Sequence, residues 1–201
     1  ILLAASRADQ VDGRLAAVRE AGLRPVLVDL ESFALEQSAA VLAGEREAVA
    51  VADIGATSLT LALAGDGEHH FSRSQALSGT PLAAALASAR GLTRAEAESA
   101  LRQGEVPAGE LVTPFVEAVA AQLNRLLPLA ADQAGRAADR LLIAGGGALA
   151  PGMTSALRDA LDRPVALAWP LSRTGSEASA DLRAVEPALA VATALGRRRP
   201  L

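Results

Sequence analysis

The sequence predicts a mixed α/β fold. Three observations carry this expectation. Val49-Ala50-Val51-Ala52 and Leu59-Thr60-Leu61-Ala62-Leu63 have the period of two expected of strands. Later apolar runs, such as Leu141-Leu142-Ile143-Ala144, stand between stretches of helical period. The order is also informative, because three strands joined by short turns precede helices that alternate with strands.

Taken from the start, Ile1 to Ala5 reads as a strand cut off at its beginning. With no initiating Met, the chain is expected to be a piece of a longer one. Asp9 to Gly22 reads as a helix with Val11, Leu15 and Val18 on one face and Gly22 as its stop. Arg24 to Leu30 is expected to form a second strand and Glu31 to Ala43 a second helix carrying Phe33, Leu35 and Leu42. The crossover in this β-α-β-α unit should be right-handed. Glu45 to Ala64 gives a hairpin, Gly65-Asp66-Gly67 a turn, and Glu68 to Ala76 a third antiparallel strand.

Thr80-Pro81 has the pattern of an N-cap followed by Pro at the first helical position, and that helix should stop at Gly91. Thr93 and Glu96 have capping-box spacing and open another helix ending near Gly104; a loop follows to Gly109. Thr113-Pro114 repeats the cap-plus-proline pattern ahead of a longer helix with Phe115, Val119, Leu123 and Leu126 along one side. Pro128 is expected to end or kink it. Asp139 to Ala144 is a strand, Gly152 to Leu161 a helix, and Pro164 to Ala168 a strand ending at Trp169. Pro170 to Asp181, rich in Ser and Gly, is expected to be mobile, and Pro187 to Arg197 to form a closing helix. From residue 46 onward this is the order of an RNase H-like half.

Composition removes several chemistries. With 201 residues and 51% hydrophobic content the chain can bury a sizeable core, built from Ala, Leu and Val because only three Phe and one Trp are aromatic. There is no Cys, hence no thiol nucleophile, disulfide or Cys-ligated zinc. All nineteen basic residues are Arg, which excludes a Walker A lysine, a Schiff-base enzyme and a protein-kinase lysine. His69 and His70 are strand neighbours that point to opposite faces and cannot readily share one metal. A net charge of −4 gives no reason to expect nucleic acid. Arg197-Arg198-Arg199 reads as solvated charge offsetting a helix C-terminus. No apolar run reaches spanning length and no signal sequence opens the chain, so a soluble cytoplasmic protein is expected, with no direct membrane insertion.

Two loops carry the candidate chemistry. Asp53-Ile54-Gly55-Ala56-Thr57-Ser58 joins two strands, and its amides can turn toward an anion with Asp53 beside it. Alone, an Asp-x-Gly turn is only a turn. Ala144-Gly145-Gly146-Gly147 has the same grammar of strand, glycines and helix start, and two such loops suggest one nucleotide cleft walled by both. Asp53 to Thr57 resembles the second phosphate motif of the actin/Hsp70/sugar-kinase superfamily, and Ala144 to Gly147 its adenosine motif. Glu186-Pro187-Ala188-Leu189-Ala190-Val191-Ala192-Thr193-Ala194-Leu195-Gly196 resembles its closing helix. Leu2 to Arg7, Val11-Asp12 and Ala21 to Leu35 resemble the PilM family of type IV pilus assembly proteins.

The resemblance implies an actin-like ATPase fold. Residues 1–44 would be the returning part of a first lobe, and 45–201 the second lobe with a mostly helical subdomain at about 80–127. It assigns Gly55, Ala56, Thr57 and Ser58 to the terminal phosphates and Gly145, Gly146 and Gly147 to the adenosine side. Asp53 would hold a magnesium-bound water, which suits an ion that keeps several waters and takes few carboxylates. It places Gln122 and Arg125 at the ribose, where relatives often present a Glu; Gln supplies no charge. The first phosphate motif does not occur in these residues, so ATP is expected to bind weakly or not at all to this piece, and the intact protein to be at most a weak ATPase.

A scaffold is therefore implied, cytoplasmic and peripheral to the inner membrane. It would grip the cytoplasmic tail of a PilN-like protein and couple the platform to the pilus motor in fimbrium biogenesis, twitching motility or competence. Self-association, as in actin relatives, is a further implication of the fold. An FtsA-like division protein would share both loops but need a C-terminal amphipathic membrane helix, which Arg197 to Leu201 does not offer. A sugar or acetate kinase would need a second carboxylate facing a substrate, and the sequence singles out none.

Overall fold

The computed structural model describes residues 5–65, 68–77, 81–103, 112–173, 175, 178–198. The elements run in the order α1 (Ala8–Glu20), α2 (Glu31–Leu42), β1 (Ala48–Ile54), β2 (Ser58–Gly65), β3 (Glu68–Ala76), α3 (Leu82–Arg90) and α4 (Arg94–Gln103). They continue with α5 (Val112–Ala134), β4 (Arg140–Ala144), α6 (Met153–Leu161), β5 (Val165–Leu167), α7 (Ala180–Ala184) and α8 (Ala190–Arg197). The five strands form one sheet in the order β3-β2-β1-β4-β5. Antiparallel ladders join β1 to β2 and β2 to β3, whereas β1 runs parallel to β4 and β4 to β5. This is the expected succession of a hairpin, a third strand and crossover units.

The alternation in β1 feeds two cores. Ala48, Ala50, Ala52 and Ile54 face α5 and α6, joined by Leu59, Leu61, Leu123, Leu126, Ile143 and Leu157. Val49 and Val51 face the opposite layer, where Leu35, Ala39 and Leu42 of α2 and Ala190 of α8 cover the sheet. A shift of one residue in this strand would exchange the two sets, so burial on both faces fixes its register. The far end of the β1/β4 pair is also locked. Asp139 accepts the amide of Ala48 at 2.7 Å and a guanidinium hydrogen bond from Arg136, while Arg140 forms a paired contact with Glu47 and donates to the carbonyl of Leu42. The Arg140 guanidinium, with the Gly44 amide, holds the Glu47 carboxyl below its usual range.

Helix boundaries follow local chemistry. Gly91 ends α3 with φ of 65°, a left-handed conformation that suits glycine. Thr93 and Glu96 form the expected capping box: the Thr93 amide donates to Glu96 at 2.8 Å and the Glu96 amide to Thr93 Oγ1 at 3.3 Å. At the start of α3 the cap position falls on Pro81 instead of Thr80, which lies outside the described residues, as do Ile1 to Ala4, Asp66-Gly67, the 104–109 loop and Arg199. The side chains of His69 and His70 also fall outside them.

Several expectations are corrected. Residues 24–30 form no strand: they pair with no other segment among the described residues, and strand pairing needs a neighbour to take up the backbone hydrogen bonds. The strand expected at Ile1 to Ala5, the other half of that unit, falls almost wholly outside the described residues. Helix α1 buries none of its residues, so Val11, Leu15 and Val18 do not build the core. Of the two outcomes expected at Pro128, an end to the helix is not observed: Pro128 lies inside α5 on its exposed side, while Leu126 and Ala130 on either side of it are buried. Within 170–181, Leu171–Arg173 forms a 3-10 turn pinned by the buried Glu186 carboxylate, which accepts from the Ser172 amide at 3.0 Å. Likewise, Arg198 is not simply solvated, since its Nε lies 2.8 Å from Asp29 Oδ2 in an ion pair, at an angle outside hydrogen-bond geometry.

Leu123→Ala, at a fully buried position on α5, should lower stability by about 2–5 kcal/mol, whereas Leu15→Ala on α1 should stay within about 0.5 kcal/mol. Urea unfolding curves for the two variants check the contrast.

Candidate functional site

The site is built where β1 and β4 end. These strands are parallel and in register, with Asp53 opposite Ala144, so the loops that follow emerge side by side from their carboxyl ends. In open α/β sheets that edge is where ligands bind. After β1 the chain turns at Gly55-Ala56-Thr57, and the Gly55 amide donates to the Ser58 carbonyl at 2.9 Å. After β4 it passes Gly145, with φ of 84°, into a 3-10 turn over Gly146–Leu149.

The two loops touch. A Cβ on Gly145 would stand 2.1 Å from Asp53 Oδ1 and 2.5 Å from the Ile54 carbonyl, and one on Gly147 would stand 2.5 Å from Ile54 Cγ2. Only glycine fits at either place. Gly146 differs, because a Cβ there would meet nothing within 4 Å. Its position faces a cleft of about 360 Å³ that is also lined by Gly55, Ala56 and Gly147, by the start of α3, by Leu101 of α4 and Phe115 of α5, and by Val185 and Ala188. The Gly145 amide donates to the Pro187 carbonyl at 2.9 Å, which ties the segment before α8 to the glycine loop.

Six of the ten residues expected at the site thus meet directly at or beneath the cleft floor: Gly55, Ala56, Gly146 and Gly147 line it, with Gly145 packed below against Asp53. Thr57 and Ser58 sit at the tip and far side of the turn and are not among the lining residues. The amides of Gly55 and Gly145 are already engaged, with Ser58 and Pro187, so neither is free to meet an anion. Gln122 and Arg125 do not line the cleft: Gln122 is buried and donates to the Ala76 carbonyl at 3.2 Å, and Arg125 is exposed. A carboxylate does line the cleft, on α4. Glu98 lines the cleft, paired with Arg94 at 2.8 Å. In the sequence this i,i+4 pair resembles any solvated helix face, so nothing local distinguishes it.

Asp53 is the electrostatic centre of this edge. Burial pushes its carboxyl up to about 6, and the nearby Glu31 carboxylate at the start of α2 adds to the shift. Among the described residues no donor hydrogen-bonds to its oxygens. A carboxylate that is partly shielded, without a donor and beside a second carboxylate is suited to a hydrated divalent cation. Among the described residues no group of three or more His, Cys, Asp or Glu gathers to cage a metal, which leaves any such ion dependent on water and ligand oxygens. Glu31 does not stand out in the sequence, because only folding of α2 onto the sheet brings it to Asp53.

Asp53 ionises near 6 in the folded chain against an ordinary value of 3.8. The folded state therefore favours the protonated form, and stability should fall as pH rises from about 4 to about 6. Asp53→Asn should remove that slope and leave the variant more stable at pH 8 by about 1–3 kcal/mol. Thermal melts across this pH range check it. Gly145→Ala should cost more than about 2 kcal/mol, from the left-handed φ and the collision with Asp53, read in the same melts.

A family model described as type IV pilus assembly protein PilM matches residues 1–200. The chain is similar to the chain of a solved PilM-PilN type IV pilus biogenesis complex, with a TM-score of 0.76 and 27% identity over 94% of this chain and 57% of that one. It is also similar in fold to the ethanolamine utilization protein EutJ from Carboxydothermus hydrogenoformans, at TM-score 0.59 and 20% identity over 90% of this chain and 59% of that one. MreB5 of Spiroplasma citri bound to AMPPNP matches at TM-score 0.54 and 12% identity over 96% of this chain and 65% of that one. The chain thus spans 57% to 65% of the length of these relatives. By its family match, its sheet order and its neighbours, the chain has the actin-like ATPase fold and belongs to the PilM family of type IV pilus assembly proteins.

Proposed function

We propose that this chain supplies the nucleotide-facing half of a PilM-type scaffold in pilus assembly. The single observation that carries the reading is the contact of the Asp53–Ser58 turn with the Gly145–Gly147 loop along one wall of one cleft. The main chain of Gly146 and Gly147 faces the cleft without side chains in the way, and Ala56 faces it from the other loop. A nucleotide would lie with its sugar and base among Leu101, Phe115, Val185 and Ala188, within reach of Arg94 and Glu98. Its phosphates would lie toward Ala56 and Thr57, and Asp53 would orient the water shell of a magnesium ion. That ion would offset phosphate charge in a cleft where Arg94, the one cation among the described lining residues, is already paired. The neighbour bound to AMPPNP is consistent with this use of the fold.

The partner in this reading is the cytoplasmic tail of a PilN-like inner-membrane protein, supported by the likeness to a chain of a PilM-PilN complex. Among the described residues no helix is long and apolar enough to cross a membrane, which fits attachment through a partner. Coupling to the motor and platform, a cytoplasmic and peripheral location, and self-association belong to the same proposal. ATP hydrolysis is at most slow, and the protein acts as a nucleotide-responsive scaffold.

Gly146→Val tests the site. The added side chain enters open space, so the melting temperature should change little, while nucleotide binding should fall by about tenfold or more. Calorimetric or NMR titration with Mg-ATP should show affinity weaker than about micromolar for this chain, and submicromolar binding would contradict the view that the cleft is only half clamped. Unchanged binding by Gly146→Val would move the nucleotide elsewhere.

A further inference from the structure

Gln122 is a costly residue for its surroundings. Its side chain is buried on α5; Nε2 donates to the Ala76 carbonyl at 3.2 Å, while Oε1 is shut off from solvent with no donor. Desolvating an amide and leaving one acceptor unmet costs more than a single neutral hydrogen bond returns. An apolar side chain of like size would fill the same place without that loss. The reason for the hydrogen bond lies in what it holds. Ala76 is the last residue of β3 and pairs with Ser58 across the ladder. The next amide, that of Leu77, donates to the Thr57 carbonyl at 2.8 Å. One side chain on α5 thus holds the strand end that grips both Thr57 and Ser58.

We propose that Gln122 is a positioning residue for the phosphate end of the cleft. Through the Ala76 carbonyl it sets the height of the Thr57–Ser58 segment, and so governs affinity for the terminal phosphates while leaving the base and sugar contacts unchanged. This role replaces a direct contact with the ribose. It rests on the nucleotide reading of the cleft, but its structural half can be measured without any ligand.

The experiment uses Gln122→Leu and, as a more adaptable side chain of similar reach, Gln122→Met. Amide hydrogen exchange is followed at Leu77, and at Val51 and Leu142 as controls in the neighbouring strands. The Leu77 amide should exchange about tenfold faster in both variants, with the controls within about twofold and the melting temperature not lowered. Uniform acceleration of all three amides, an unchanged Leu77, or failure of both variants to fold would make Gln122 a merely structural residue and overturn the proposal. Titrations with Mg-ATP and with adenosine then separate the two ends of the ligand. ATP should weaken about fivefold or more relative to the unsubstituted chain while adenosine stays level; equal weakening of both also overturns it. If the unsubstituted chain binds neither, the affinity half of the proposal is overturned for this chain, and a selective change at Leu77 still upholds the positioning of the turn.

Discussion

Everything at the functional edge depends on the parallel pairing of β1 with β4. With Asp53 opposite Ala144, the carboxylate of one loop lands against the bare Cα of Gly145, and Ile54 lands against Gly147. These approaches are too close for any side chain, so glycine is required where the two loops meet. Burial of both faces of β1 supplies the energy that keeps this register, because neither apolar set can be turned outward. The position of a few glycines is thus set by the packing of two hydrophobic layers.

The cleft is unusual in how it can meet an anion. The chain has no Lys, and the one cation among the described lining residues, Arg94, is paired with Glu98. In the proposed reading, attraction would come from backbone amides in a concave turn and from a cation held at Asp53. Both act at short range and need close orientation more than strong charge. That makes rigidity of the turn the quantity to protect, and the hydrogen bonds from Leu77 to Thr57 and from Gly55 to Ser58 serve it.

The second layer does more than cover the sheet. Ser38 of α2 donates to the Ala190 carbonyl at 2.7 Å, joining α2 to α8 in the interior. At the other end Arg198 pairs with Asp29, whose remaining oxygen accepts the Leu30 amide at 2.8 Å and so fixes the entry to α2. The first residue of that helix is Glu31, which raises the Asp53 carboxyl. A path of packed and paired groups therefore connects the closing helix to the electrostatics of the cleft edge.

Much was legible in the chain. Period-two runs marked β1 and β2, an apolar run marked β4, capping chemistry marked α4, and the two glycine loops marked the edge of the candidate site. These features are local, and the backbone obeys them because steric and hydrogen-bond rules act over a few residues. Other features were not legible for the opposite reason. Residues 24–30 have strand composition but pair with no neighbour among the described residues, Pro128 sits inside α5 between the buried Leu126 and Ala130, and the buried Glu186 pins Leu171–Arg173 within a stretch rich in Ser and Gly. Which loops could approach an anion is thus written in short stretches of residues. That Glu98 instead of Gln122 faces the cleft, and that Glu31 stands by Asp53, follows only from how distant helices seat on the sheet, a matter of long-range packing that no local pattern encodes.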